Sequence, residues 1–268
     1  ANPETAPILL RMAGAIARDL NYEIECLQVL LVPRHTVPSE MPVETQVSRR
    51  LLKQAERIGA RDGISVHTQI RVAHDVADAV LDVIRDRHIN LLVMGWKGRS
   101  FTPDRIFGDT VDTLLRQASC DTIAIKFAPK ALGKSPAPLN RWLVPMSGGP
   151  NAKQAISFLP ALVGLSPHPD IHLCQVFAPE ESQPDKMTLQ EAQGFLQEAL
   201  DCPTIVTPLF SSSVAEATIE LSGQLGADAI VLGASRKGFL QQAIEGNIPN
   251  AIVRGCRCTT VLFRSAQS

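Results

Sequence analysis

No run of about 18 consecutive apolar residues occurs in the 268-residue sequence, which leaves no segment able to span a bilayer as a helix. Neither charge sign dominates. There are 26 Lys and Arg against 27 Asp and Glu, so the basic excess of a nucleic-acid binder is missing. The six cysteines form no C-x-x-C pair, and four ligands at matching spacing, the minimum for a structural metal, cannot be assembled from them. They read as small buried residues of a reducing cytosol, Cys256 and Cys258 at a strand entrance included. The phosphate loop G-x4-G-K-[S/T], the fingerprint G-x-G-x-x-G and the zinc helix H-E-x-x-H are all absent. His35, His67, His74, His88, His168 and His172 show neither ligand spacing nor a nucleophile partner. No catalytic residue and no metal ligand is therefore assigned. The opening "ANPETAPILL" has no charged n-region, no cleavage site and no initiator Met, which predicts a longer natural polypeptide rather than a secretory leader.

What the sequence does contain is a copy of itself. "HDVADAVLDVIRDRHINLLVMG" (His74–Gly95) aligns without gaps on "SSVAEATIELSGQLGADAIVLG" (Ser212–Gly233), an offset of 138. The offset continues through Gly108 and Gly246, Arg116 and Arg254, Cys120 and Cys258, Thr122 and Thr260. Nearer the start it is 147, with Pro3 on Pro150 and Gln28 on Gln175. The second copy is thus nine residues shorter between its second and third strands.

Each copy alternates short apolar strands with amphipathic helices. The expected strands of the first copy are Tyr22–Val32, Val66–Val72, Leu91–Met94 and Thr122–Phe127. Those of the second are Arg141–Met146, Asp170–Ala178, Pro203–Phe210, Ala229–Leu232 and Thr259–Phe263. Helices are expected after Pro150 and over Met187–Leu200, Val214–Leu225 and Ile248–Arg254. Strands apolar on both faces and separated by helices predict parallel sheets covered on both sides. The fold class is therefore α/β, with two tandem doubly wound parallel-sheet domains. The first covers residues 1–127 and the second 141–268. The Pro- and Lys-rich stretch 128–140 joins them. The last strands, "TIAIKF" and "TTVLF", are apolar and lie at a sheet edge, which invites them to pair. The two repeats are expected to form an internal pseudo-two-fold dimer through them, with a homodimer as a further possibility.

The strand "RWLVPM" (Arg141–Met146) has no counterpart in the first copy, because subtracting 147 places it before Ala1. A first strand in such a sheet is usually central. Either something else fills that slot or the sheet is interrupted there.

Helix start "HD" at His74-Asp75 reads as a cap. Asp75, Asp78, Asp82 and Asp86 follow helical spacing on an outward face, while Val76, Val80, Leu81 and Ile84 face inward. Carboxylates strung along a solvated surface are no metal site.

The chemistry concentrates in "GWKGRSFTPDRIFGDT" (Gly95–Thr110). Gly95 and Gly98 permit a sharp exit from a strand with successive N–H groups exposed. Gly108 opens the next helix, whose free N–H groups favour an anion. Lys97, Arg99 and Arg105 add positive charge. This G-x2-G-x9-G pattern, with its surrounding topology and duplication, resembles the universal stress protein family over essentially all 268 residues. The resemblance implies the fold of that family, with its adenine nucleotide alpha hydrolase-like domains. It also implies ATP or another adenine nucleotide at the carboxyl ends of the strands, or, in members that bind none, a dimerising module. The second copy is also similar to soluble tails of cyanobacterial membrane transporters of the amino-acid-permease, cation–chloride cotransporter or chloride-channel kind, which implies a cytoplasmic location at the membrane face.

Carried onto this sequence, the binding residues are Gly95, Lys97, Gly98, Arg99, Gly108, Asp109 and Thr110. Asp109 stands where the family has a hydroxyl, with Thr110 one position later; Asp109 could instead cap the helix. In the second copy the candidates are Gly233, Arg236, Gly246 and Asn247. There Arg236 replaces the middle glycine, Asn247 replaces the hydroxyl, and Ser147 replaces the acidic residue expected after the first strand. The nucleotide is therefore expected mainly in the first copy. Three functions compete: a non-enzymatic sensor regulating an attached transporter, a ligand-free dimerisation module, and a slow ATP hydrolase for which no general base is found.

Overall fold

The protein's structure, a computed structural model, describes residues 4–35, 45–96, 107–132, 137–146, 150–181, 184–233 and 248–266. The first repeat runs α1 (Ala6–Leu20), β1 (Ile24–Leu31), α2 (Gln46–Asp62), β2 (Val66–Ala73), α3 (Val76–Asp86), β3 (Leu91–Gly95), α4 (Asp109–Gln117) and β4 (Asp121–Lys126). The second runs β5 (Arg141–Pro145), α5 (Pro150–Val163), β6 (Asp170–Phe177), α6 (Met187–Ala199), β7 (Thr204–Phe210), α7 (Val214–Leu225), β8 (Ala229–Gly233), α8 (Ile248–Gly255) and β9 (Thr259–Arg264).

Local sequence explains the boundaries. The carboxylate of Asp75 accepts from Ala77 N at 2.7 Å and Asp78 N at 3.1 Å, and so caps α3. Its repeat equivalent, Ser213, caps α7 by accepting from Glu216 N at 3.3 Å. Gly226 ends α7 with φ +61° and Gly63 ends α2 with φ +69°, both in the left-handed region that glycine enters without strain. Short strands with helices between them then have one economical arrangement, parallel pairing by crossover connections.

Seven strands form one sheet in the order β3-β4-β9-β8-β5-β6-β7, and β1 pairs with β2 in a separate two-stranded sheet. All pairings are parallel except one. At the seam between the repeats β4 meets β9 antiparallel, Thr122 opposite Arg264 and Lys126 opposite Thr260. The two last strands therefore satisfy each other's edges within one chain.

Cores lie on both faces of the large sheet. On one face Ile123, Ile125, Trp142, Val144, Val261 and Phe263 pack beneath α1, α5 and α6, with Met12 and Ile16 of α1 buried among them. On the other, Ala124, Leu143, Ile230 and Leu262 pack beneath α4, α7 and α8. Alternation along each strand divides its side chains between the two.

The seam carries a reciprocal device. Lys126 and Arg264 occupy equivalent positions in the two repeats, 138 residues apart. Lys126 Nζ donates to the carbonyls of Val253 at 2.5 Å, in the last turn of α8, and of Cys256 at 3.4 Å, just past it. Arg264 Nη2 donates to the carbonyls of Ala118 at 2.9 Å and Cys120 at 2.8 Å, just past α4, and to Thr122 Oγ1 at 3.1 Å. Each repeat thus sends a cation to the negative end of the other's last helix.

One interval of the sheet stands open. In the second repeat β5 lies between β6 and β8. In the first, no described strand lies between the equivalents β1 and β3. A cavity of about 1080 Å³ occupies that place, lined by both strands, α1 and α3.

Candidate functional site

The glycine stretch falls at the carboxyl end of β3. Leu91 to Gly95 pair with Asp121 to Ile125 of β4, and the ladder closes with Trp96 N donating to Ile125 O at 3.0 Å. Gly95 is exposed at the strand's tip while Trp96 turns inward and is buried. The Trp96 ring meets Phe107 edge-on, centroids 5.3 Å apart at 69°. The residues on either side of positions 97–106 are therefore held together by an aromatic contact of the favoured T-shaped kind. Trp96 Nε1 is buried and has no hydrogen-bond partner among the described residues.

Gly108 then opens α4. Its φ of +106° lies in the region L side chains rarely adopt, so the backbone itself demands glycine. Gly95 differs. It has ordinary backbone angles, and a Cβ there would meet nothing nearer than Ile125 O and Thr5 Oγ1, both at 3.8 Å. The recurrence of Gly95 as Gly233 is thus not explained by the backbone or by crowding among the described residues. Gly108 has a backbone reason to be glycine, and among the described residues nothing near Gly95 supplies one.

Asp109 is the first residue of α4, not its cap; the cap position belongs to Gly108, which has no side chain to accept from the helix. That corrects the capping role expected for Asp109. The carboxylate that organises this end is Asp112, which sequence reasoning passed over. It is buried, and it accepts from Phe107 N at 3.2 Å through Oδ1 and 3.4 Å through Oδ2. Its own N–H donates to Gly108 O at 2.9 Å. The signal was present in "FGDTVD": a carboxylate one turn into a helix can reach back to the chain that enters it, as a capping box does. Asp109 and Asp112 both sit in the first turn, where negative charge complements the helix dipole.

Gly95 and Thr110 line one cavity, the open interval beside β3, together with Thr5 at the start of α1. Gly108 and Asp109 adjoin Thr110 at the same helix end. The structure therefore brings four of the seven first-repeat candidates to one place. Lys97, Gly98 and Arg99 lie outside the described residues, as do Arg236, Gly246, Asn247 and Ser147 of the second repeat. Gly233 ends β8 opposite Phe263, matching Gly95 on β3.

The cysteines are all free. Cys256 and Cys258 are buried beside Lys126 at the seam. A hydrogen bond from Cys258 draws the Cys256 thiol down to about 7 against the opposing effect of burial, with help from Ser222 and the Lys126 charge, and pushes Cys258 up. No group of three His, Cys, Asp or Glu able to hold a metal occurs among the described residues. None of their helices is long and apolar enough to cross a membrane.

Among known proteins the chain is similar over 98% of its length, at 23% identity, to the Na(+)/H(+) antiporter NhaS5 of Synechocystis sp.. It spans 37% of that relative's length. The relative is a cyanobacterial transporter, as the resemblance implied, of an antiporter kind that it did not name. A universal stress protein of Archaeoglobus fulgidus superposes with a TM-score of 0.62 at 11% identity, covering 99% of this chain and 93% of that one. A universal stress protein of Pseudomonas aeruginosa gives 0.58 at 16%, covering 96% and 88%. At such identities these structures speak for the fold alone. The sequence model of the Universal stress protein family matches residues 1–126 and again 139–264, so the chain belongs to the universal stress protein family as two tandem domains.

Proposed function

We propose that this chain is a non-enzymatic regulatory module that holds an adenine nucleotide at the carboxyl end of β3 and serves a membrane transporter from its cytoplasmic side. The observation that carries the reading is the pair Gly95 and Gly108 flanking one opening. Gly108 holds a positive-φ turn at the N-terminus of a helix, where backbone N–H groups favour phosphate. Among the described residues nothing crowds Gly95, where a Cβ would fit, which suits close approach of a ligand to the strand tip. In the sequence between the two glycines Lys97 and Arg99 add positive charge and Gly98 adds a residue free to take positive φ. Similarity to an antiporter over 98% of the chain supports the transporter link. A ligand that prefers one arrangement of the two repeats shifts their equilibrium and so passes its presence to whatever is attached.

A second reading, a ligand-free pairing module, draws on two observations. The repeats are already joined through β4 and β9, and Asp109 with Asp112 puts two carboxylates in the first turn of α4, which disfavours a phosphate at that helix end. Calorimetric titration of the tandem module with ATP, ADP, AMP and cyclic dinucleotides separates the two. Binding by one of them, abolished by Gly98→Leu, is the expected result. Heat that survives Gly98→Leu moves the ligand elsewhere, and no heat with any nucleotide leaves the pairing module.

A further inference from the structure

We infer that the outward face of α2, widened by α1, is a docking surface for a bilayer rich in anionic phospholipid. α1 and α2 together hold seven cations and three anions, and the rest of the chain nineteen and twenty-four. The near-neutral total therefore conceals one basic region on an otherwise acidic chain. Helical spacing gathers it. Arg49, Arg50, Lys53, Arg57 and Arg61 of α2 fall within an arc of about 120° by helical geometry, and all five are exposed. The opposite side of the helix is committed to the fold. Ser48 and Gly59 are buried there, with Gly59 against Val66 of β2. The two anions of α2 are engaged. Glu56 accepts from Thr68 Oγ1 at 2.7 Å, and Asp62 accepts from Arg61 Nε at 2.8 Å. Among the described residues Arg49, Arg50, Lys53 and Arg57 form no ion pair.

α1 widens the face. Gly14 of α1 abuts Ile64, just past α2, so the two helices lie side by side. Arg11 and Arg18, two turns apart, share one side of α1 and are exposed. A hydrogen bond from Arg61 holds the Asp62 carboxyl below its usual range, and the charges of Arg61, Arg18 and Arg11 add to the effect. The arginines of α1 therefore stand beside the basic arc. The second repeat provides the comparison. By the offset of 138 the five cations of α2 correspond to Met187, Thr188, Glu191, Phe195 and Ala199 of α6. A helix in this place in the fold thus needs no cation on its outward face, and folding does not account for the five on α2.

Charge complementarity selects the partner. From Arg49 to Arg61 the cations run about 18 Å along the helix, a convex row without an aromatic side chain on which a base could stack. A bilayer containing anionic lipid offers a plane of mobile phosphates, which such a row engages without a pocket. Lys and Arg near that surface each add to the attraction. The choice of a bilayer over other anionic surfaces rests on the transporter reading proposed above, which keeps the chain within reach of a membrane. The basic face itself does not depend on that reading, nor on a bound nucleotide.

Sedimentation of the chain with vesicles tests it. At about 0.1 M salt the chain is expected to bind vesicles holding about 30% phosphatidylglycerol but not pure phosphatidylcholine, and to be released at about 0.5 M salt. Each cation at such a surface contributes about fivefold to partitioning, so the triple variant Arg49→Glu, Lys53→Glu, Arg57→Glu should bind at least about 100-fold more weakly. The triple variant Arg116→Glu, Arg254→Glu, Arg257→Glu changes the net charge equally, at positions outside α1 and α2, and should bind within about fivefold of wild type. All six side chains are exposed, so both variants should melt with wild type. Equal weakening in the two would overturn the inference, because net charge rather than one face would then be responsible. Absence of binding to the anionic vesicles would overturn it too, and RNA held by the same cations would name the partner instead. The transporter reading fails separately. It needs the natural polypeptide to stay in the membrane fraction through a wash at about 1 M salt, which screens contacts made by a basic face.

Discussion

Replacing Arg264 with Met keeps the length of the side chain and removes its charge and donors. The guanidinium is 0% exposed, so no water can take its place. Four acceptors lose a donor: the carbonyls of Ala118, Cys120 and Ser265 and the hydroxyl of Thr122. A hydrogen bond from a charged donor contributes about 1.5–3 kcal/mol, and a buried acceptor left unsatisfied costs about 1–3 kcal/mol. Against that stands the desolvation of the cation, which Met does not suffer. The carbonyls beyond α4 repay part of this desolvation through the helix dipole. The expected net loss is about 2–4 kcal/mol. Lys126 makes the equivalent contacts but is only half-buried, and desolvation already depresses its pKa below the ordinary lysine value. Lys126→Met should therefore cost about 1 kcal/mol or less. Urea unfolding followed by the fluorescence of Trp142, buried at 1% exposure in the core beneath α5, reads both variants. The midpoint of Arg264→Met should fall well below that of Lys126→Met at unchanged slope. Equal midpoints, or the reverse order, would refute the view that burial decides the worth of these paired cations. Arg264→Lys, which keeps charge without the fork, should fall between wild type and Arg264→Met.

Other consequences are simpler to state. Gly108→Ala forces a Cβ onto φ +106° and should cost about 1–3 kcal/mol in thermal or chemical unfolding. Gly95→Ala, which has room, should leave stability within about 0.5 kcal/mol yet weaken nucleotide heats. Asp75→Ala and Ser213→Ala each remove a side-chain cap and should each cost about 1 kcal/mol; helical CD during melting checks the pair. The Asp228 carboxyl is pushed up by burial, but hydrogen bonds from Lys130 and from the amides of Arg141 and Asn140 outweigh this and hold it below the usual range. Its folded pKa lies below the unfolded one, so its contribution is present above about pH 4 and is lost as the pH falls through the lowered value. Asp228→Asn should therefore flatten the acid limb of a stability–pH profile and change little in the slope near neutrality.

The architecture was largely legible because the repeat tested every assignment twice. The run "AIVLG" in the second copy makes "LLVMG" a strand, and the expected boundaries of β8, α7 and α8 fall within a residue of those observed. The seam was legible from the apolar character of "TIAIKF" and "TTVLF" alone. The details of the site were not. The role of Asp112 depends on a carboxylate reaching back over five residues to Phe107 N, a contact made possible by the positive φ of Gly108, and helical periodicity shows only the face it lies on. The exchange of Lys126 and Arg264 was hidden for another reason. It joins residues more than 125 positions apart, and a cation at the end of an apolar strand reads as a solvated terminus until the partner helix is in place.

The antiparallel meeting of β4 and β9 settles where the two repeats can be reached from outside. Because every other pairing in the large sheet is parallel, β3 and β8 run in opposite directions. The tip at Gly95 and the tip at Gly233 therefore lie on opposite rims of the sheet. The two strand tips of a single chain are thus turned away from each other, which a side-by-side arrangement of the same domains would not produce.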